Sequence, residues 1–315
     1  GGNYNTVVGD EAGTAITTGD SNVAVGYTAL DATTTASNNT AVGFAALTIN
    51  VTGAQNTAVG GYALYNNEAS DNTGLGYNAL FTNTTGTNNT AVGKDALVAN
   101  TTGDTNTALG YLALDANTTA SNNTAVGASA LTANTTGTQN AAVGAEAMDA
   151  NTTGNTNAAL GIGALGSNTT ASNNTAVGAF ALLANTTGAE NTAVGRSALL
   201  ANTTANDNTA VGYAALVANT TGAENTGIGK SSLDANTTAT QNTGIGYDSL
   251  GGTTTGGENV GLGHSALVAN TTGNENTAVG KEALASSVAA DRNTAVGYRA
   301  LRVCNPSGNV DMYNV

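Results

Sequence analysis

This chain of 315 residues has 21 acidic and only seven basic side chains, and its net charge of −14 disfavours binding to nucleic acids or anionic membranes, which need clustered lysine and arginine. Aromatic residues make up 4% of the chain and charged residues 9%, with no tryptophan, so a thick globular core is excluded. The composition indicates small residues packed around an extended backbone ladder.

A seventeen-residue repeat runs through almost the whole chain. The block Asn-Thr-Ala-Val-Gly of residues 89–93 recurs eighteen times, and its closing glycines, Gly9 to Gly297, are seventeen residues apart except between Gly60 and Gly76, where the step is sixteen. A strict short period is typical of a solenoid, in which each repeat stacks on the next. We predict one repeat domain at 1–302 and a degenerate last coil, or the start of a following segment, at 303–315.

Each coil contains two short segments with the alternation of β-strands. In residues 89–105 these segments are 89–93 and 96–100. Lys-Asp separates the two segments, and Thr-Thr-Gly follows the second one. Thr90 and Val92 share one strand face, and Leu97 is Leu in nearly every coil, so we predict that these three positions form the core. The sequence therefore predicts an all-β fold, a parallel β-solenoid of about eighteen coils.

The third position of the block is Ala or Gly in seventeen of eighteen coils, and the predicted alternation points it away from the core. A solvated face would collect charged residues, so we expect a second chain to cover this column and the protein to be a homo-oligomer. The predicted inter-chain face consists of Ala24, Ala41, Ala58, Ala91, Ala108, Ala125, Ala176, Ala193, Ala210, Ala278 and Ala295.

Two asparagine positions recur in the coil, at Asn89 and at Asn100. Stacked asparagines can bond from coil to coil through their amides and satisfy the backbone of turns, which predicts a structural role. Asn100 and ten equivalents also begin Asn-Thr-Thr triplets, which are formal glycosylation acceptors, although turn chemistry explains them more simply.

The variable positions after the block glycine indicate a solvent-facing corner. Six tyrosines at this corner are candidates for surface contacts such as stacking on sugars, namely Tyr27, Tyr77, Tyr111, Tyr213, Tyr247 and Tyr298. His264 stands alone, and the glycine-rich stretch 161–166 lacks the βαβ context of a dinucleotide site. We therefore predict no catalytic residue, no metal site and no cofactor.

The motif Asn-Thr-Ala-Val-Gly-Tyr-x-Ala-Leu, with Asn-Thr-Thr-Gly between blocks, resembles the head repeats of trimeric autotransporter adhesins, whose motif reads Asn-Ser-Val-Ala-Ile-Gly. It is equally similar to repeats of phage and bacterial tail-fibre proteins, and the resemblance covers residues 3 to about 302. These families imply a left-handed parallel β-roll, three chains side by side as a homotrimer, and attachment to a cell or matrix surface.

The repeat and the resemblance together predict a structural or adhesive fibre segment that is not an enzyme. The resemblance implies an extracellular location, on a cell surface or in a virion fibre, and a host-cell or matrix partner, glycans included. Two alternatives stay open. One is an ice-binding β-solenoid, although predicted inward threonines count against it. The other is a building block of an end-to-end filament, because uncapped solenoid ends expose strand edges.

Overall fold

The computed structural model describes residues 2–303, so nearly all of the predicted last segment, 303–315, lies outside the described residues. The described chain has one three-residue strand per coil, and the strands form a single parallel sheet. This confirms the predicted all-β parallel solenoid with its seventeen-residue repeat. In chain order, β1 to β18 are Thr6–Val8, Val23–Val25, Thr40–Val42, Thr57–Val59, Thr73–Leu75, Thr90–Val92, Thr107–Leu109, Thr124–Val126, Ala141–Val143, Ala158–Leu160, Thr175–Val177, Thr192–Val194, Thr209–Val211, Thr226–Ile228, Thr243–Ile245, Val260–Leu262, Thr277–Val279 and Thr294–Val296.

The chain divides into two compact units, Gly1–Thr156 and Asn157–Val315. The first unit contains β1–β9 and the second β10–β18. Within each unit, neighbouring strands pair in register one coil apart, as Ala91 does with Ala108. This register stacks equivalent residues into columns.

The second segment of each coil is a turn, and the prediction of a second strand is wrong. Residues 94–99 form turns, closed by hydrogen bonds from Ala96 N to Gly93 O and from Asn100 N to Leu97 O. Asp95 and Leu97 have left-handed φ values of 56° and 52°, which no strand accommodates. Coil-to-coil bonds continue here nonetheless, because Leu97 N donates to Ala113 O.

The inside and outside of the strand are the reverse of those predicted. Ala91 and Leu97 are both 0% exposed, whereas Thr90 and Val92 are partly exposed to solvent. Leu97 is thus confirmed as a core position, but Thr90 and Val92 are not. The alanines predicted as an inter-chain face are buried within their own chain, so that assignment is wrong for Ala24, Ala41, Ala58, Ala91, Ala108, Ala125, Ala176, Ala193, Ala210, Ala278 and Ala295.

The column formed by Leu97 and its equivalents explains why the third position of the block is almost always Ala or Gly. Gly74 occupies it in one coil, and a Cβ added there would lie 3.2 Å from Leu64 Cγ and 3.1 Å from the carbonyl oxygen of Ala79. A side chain larger than alanine would therefore overlap the core. The narrow interior, and not a flat partner chain, limits the column to Ala and Gly; the one exception, Val7, faces Gly13 in place of a leucine.

Both predicted asparagine ladders are present, and both lie inside the coil. In the strand asparagine column, which comprises Asn89 and its equivalents, Asn89 Oδ1 accepts from Asn106 N at 2.9 Å. In the turn asparagine column, which comprises Asn100 and its equivalents, Asn100 Nδ2 donates to Asn83 Oδ1 at 2.8 Å. The amides of Asn89 and Asn100 also converge on the carbonyl oxygen of Gly103. The ladders thus satisfy buried backbone that the turns leave unpaired.

Candidate functional site

The strands present an uncharged outer face in each unit. Position 2 of the block is Thr, Val or Ala in every coil and position 4 is Val, Leu or Ile, so no strand carries a charge on this side. We call these two rows the Thr–Val face. Its aliphatic side chains are substantially open to solvent: Leu75 is 44% exposed and Leu109 46%. A row of half-exposed aliphatic residues without charges is unusual for a surface bathed in water and typical of a contact surface.

The corner after the block glycine holds the predicted contact tyrosines. All six are exposed to solvent, namely Tyr27, Tyr77, Tyr111, Tyr213, Tyr247 and Tyr298. Their position at an exposed corner is therefore confirmed. Their role in binding stays a prediction.

In the first unit, two of these tyrosines belong to a larger group of rings, which we call the aromatic patch: Tyr27, Phe44, Tyr62, Tyr65, Tyr77 and Phe81. The centroids of neighbouring rings are 5.2–6.2 Å apart. The sequence prediction did not include Phe44, Tyr62, Tyr65 or Phe81. The signal available was the concentration of aromatic residues between 27 and 81 at positions that vary freely elsewhere.

The aromatic patch is wider than one column because Gly61 leaves a gap in the corner. A Cβ at Gly61 would meet the Tyr77 ring at 3.4 Å, so the ring lies against the glycine. The Tyr62 ring is perpendicular to Tyr77, with an interplanar angle of 89°, and it is also in edge contact with Phe44. Tyr65 and Phe81 extend the patch to the far side of the turn as a stacked pair.

Carboxylates surround one end of the aromatic patch. A hydrogen bond to Glu11, together with the negative charges of Glu11, Asp10 and Asp31, raises the pKa of the Tyr27 phenol above its ordinary value. The sequence contains no lysine, arginine or histidine before Lys94. The Tyr27 end of the patch is therefore acidic, whereas Lys94, paired with Asp95 at 3.5 Å, holds the corner position one coil beyond Tyr77.

In the second unit the same corner holds a single column in which cations alternate with rings. The Arg196 guanidinium and the Lys230 amine each lie 5.9 Å from the Tyr213 ring centroid, and Lys230 lies 5.7 Å from that of Tyr247. His264 stacks on Tyr247 with centroids 5.0 Å apart. Both faces of these tyrosines are thus covered within the chain, which leaves mainly ring edges for a ligand.

The Asn-Thr-Thr acceptors are inaccessible in the folded chain. Asn100 and its ten equivalents in such triplets are fully buried, and the Asn100 amide nitrogen donates into the turn column. N-glycosylation adds a bulky group to an exposed amide, so these positions cannot be modified after folding.

Within residues 2–303, no three His, Cys, Asp or Glu side chains are grouped so as to hold a metal ion. The same range contains no helix that is long and apolar enough to cross a membrane. No protein-family model matches the chain, and no curated protein matches it either. The Thr–Val face and the corner are therefore the two candidate functional surfaces.

Proposed function

We propose that this chain is a segment of an extracellular homotrimeric fibre that attaches to a cell or matrix surface. The observation that supports this proposal is the Thr–Val face, which is partly exposed, rich in aliphatic side chains and free of charge in both units. Sister chains that cover this face would bury its methyl groups at about 25 cal/mol per Å² of apolar surface.

A second copy of the same chain fits this face better than an unrelated partner. The rows repeat once per coil, at about 4.8 Å between paired strands, and another copy has the same spacing. Side chains of two such faces can therefore interdigitate over many coils without losing register. The trimeric state itself is what the resemblance to adhesin and tail-fibre repeats implies.

The test is the molecular mass of the full chain in solution. We expect three times the chain mass of 30.5 kDa by light scattering. A double variant, Val92→Lys with Val126→Lys, places charges on the Thr–Val face and should yield monomers. The matched control is Ala128→Lys, because that corner position already holds Lys94 in another coil. A monomeric wild type, or a face variant that stays trimeric, contradicts the proposal.

Ice binding is the second candidate, because the threonines of the block face outward and not inward. Regular rows of hydroxyl and methyl groups, about 4.8 Å apart, form the kind of ordered array that can template water. Thermal hysteresis from a monomeric chain, abolished by Thr90→Lys with Thr107→Lys, would favour this function over the fibre. A trimer without hysteresis would remove it.

A further inference from the structure

The aromatic patch is not required by the solenoid. At the same corner position, Ala128 and Ala145 replace the ring in two coils of the same unit without loss of the strand pairing. Large rings exposed at a corner cost solubility when they have no partner. Tyr27, Phe44 and Tyr77 are each 45–50% exposed, so the rings are available to a ligand as well as to one another.

The arrangement of the rings suits a ligand with flat apolar faces. The Tyr62 ring lies across the Tyr77 ring at 89°, whereas Tyr65 and Phe81 are nearly parallel, with an angle of 8°. Rings in these two orientations present both edges and faces across several coils. This surface differs from the column around Tyr213, where cations cover the rings.

The charge of the surroundings decides the class of ligand. The first 93 residues contain six acidic side chains and no basic ones, the acids being Asp10, Glu11, Asp20, Asp31, Glu68 and Asp71. An anionic polymer would be repelled from this end of the chain. Hydroxyl groups, by contrast, can donate to carboxylates and exchange hydrogen bonds with tyrosine phenols.

Polar groups of both kinds lie next to the rings. The Glu11 carboxylate raises the pKa of the Tyr27 phenol, and Asn78 Nδ2, beside Tyr77 in sequence, donates to Asp95 Oδ1 at 3.0 Å. A sugar has one apolar C–H face and a rim of hydroxyls, and both features have counterparts here. We propose that the aromatic patch binds neutral glycan chains, with the exposed parts of the Tyr27, Phe44 and Tyr77 rings in contact with the C–H faces of sugars. This proposal deepens the attachment role of the proposed function and does not depend on the number of chains.

The experiment is native electrophoresis of the full chain through gels that contain a neutral polysaccharide (galactomannan, mixed-linkage β-glucan or α-mannan) or acidic alginate. We expect at least one neutral polysaccharide to retard the wild type and alginate to have no effect. Tyr27→Ala with Tyr77→Ala should weaken the retardation at least tenfold, measured as the polysaccharide concentration that halves mobility.

The matched control is Tyr111→Ala with Tyr213→Ala, because these tyrosines are as exposed as Tyr77, at 50%, but lie outside the patch. Tyr77→Leu keeps apolar bulk without a ring, and it should lose binding while circular dichroism shows an unchanged fold. Retardation by alginate alone, retardation by no neutral polysaccharide, or equal loss in the control double variant would overturn the proposal. Light scattering on the same samples separates the two proposals: a monomer that binds glycan contradicts only the trimer, and a trimer that binds none contradicts only the glycan site.

Discussion

The turn asparagine column is continuous in one region and interrupted in another. From Asn100 to Asn151, each amide nitrogen donates to the asparagine of the preceding coil at 2.8–3.0 Å. In the second unit, Thr253 and Ser287 take the place of asparagine. There the Asn236 Oδ1, Thr253 Oγ1 and Ser287 Oγ atoms are buried without a hydrogen-bond partner, as is Asn50 Oδ1 beside the shortened coil of the first unit.

The comparison of these two regions shows which columns of equivalent residues can be interrupted while the fold is kept. The strand pairs on both sides of Thr253 keep their register, so a missing ladder asparagine leaves the coil intact. The block glycine is never replaced in any coil. Its φ is +145° at Gly110, and a Cβ there would lie 2.3 Å from the carbonyl oxygen of Gly127. The block glycine, where two backbones approach closely, therefore tolerates replacement less well than the asparagines of the ladder do.

The largest effect is expected at this glycine column in both regions. Gly110→Ala and Gly280→Ala should each lower the free energy of unfolding by more than about 3 kcal/mol, because the φ region is nearly restricted to glycine and the methyl group overlaps backbone. Urea denaturation followed by circular dichroism measures this. Gly61→Ala is the control, since its Cβ meets only a ring at 3.4 Å. Equal losses at Gly61 and Gly110 would contradict the explanation.

The next effect should distinguish the two regions. Asn117→Ala removes the partner of Asn100 Oδ1 and of the Asn134 amide, and should cost about 3 kcal/mol. Asn270→Ala should cost only about 1 kcal/mol, because the side chain of Asn270 bonds to Gly273 of its own coil. The same denaturation experiment compares them. Equal losses of unfolding free energy in the two variants would show that coil-to-coil amide bonds contribute little to stability.

Repair of the interrupted column is a smaller, stabilising change. Thr253→Asn gives Asn236 Oδ1 a donor and should raise the free energy of unfolding by about 1 kcal/mol. Thr255→Asn, at an exposed position two residues along the same turn, is the control and should be neutral. A destabilised Thr253→Asn variant would mean that the interrupted coil has no room for the amide.

The smallest effect concerns pH and applies to both regions. Burial raises the pKa of Asp115 and Asp149 in the first unit and of Asp234 and Asp248 in the second. Because the folded chain holds these protons more tightly than the unfolded chain, stability should rise as pH falls from neutral towards the ordinary aspartate pKa. Asp115→Asn should flatten this dependence in thermal melts. A wild type less stable at pH 5 than at pH 7 would count against it.

Much of this fold can be predicted from the sequence. The seventeen-residue period predicts stacked coils, and the near-invariant Leu97 and Asn100 positions predict buried columns. Alternation also shows that Asn89 and Ala91 share a face, but it does not say which face is inside. That choice depends on the turn, where left-handed Leu97 places its side chain against the small residues of the strand. The clue is the Asn89 column. If its amides bond from coil to coil, Asn89 lies inside, and Ala91 lies inside with it because the two share a strand face.

The aromatic patch is harder to predict than the core. Its rings come from three different positions of the coil, which the turn brings together on one surface. Tyr62 and Phe81 are nineteen residues apart, yet their centroids are 6.2 Å apart. Ring orientation also depends on the gap at Gly61, and sequence spacing contains no information about a rotamer.

The shortened coil identifies where the repeat accepts a change in length. Residues 56–71 lack one residue, yet Thr57 and Val59 keep their in-register partners in the next strand. The amides of Asn56 and Asn67 still converge on the Ala69 carbonyl oxygen, at 2.8 and 2.7 Å. The deletion is absorbed between Asn67 and Ala69, and Asn50 Oδ1 in the preceding coil is left without a ladder donor. We therefore expect a short insertion at the corresponding bend of another coil to leave the register of its strand pairs unchanged.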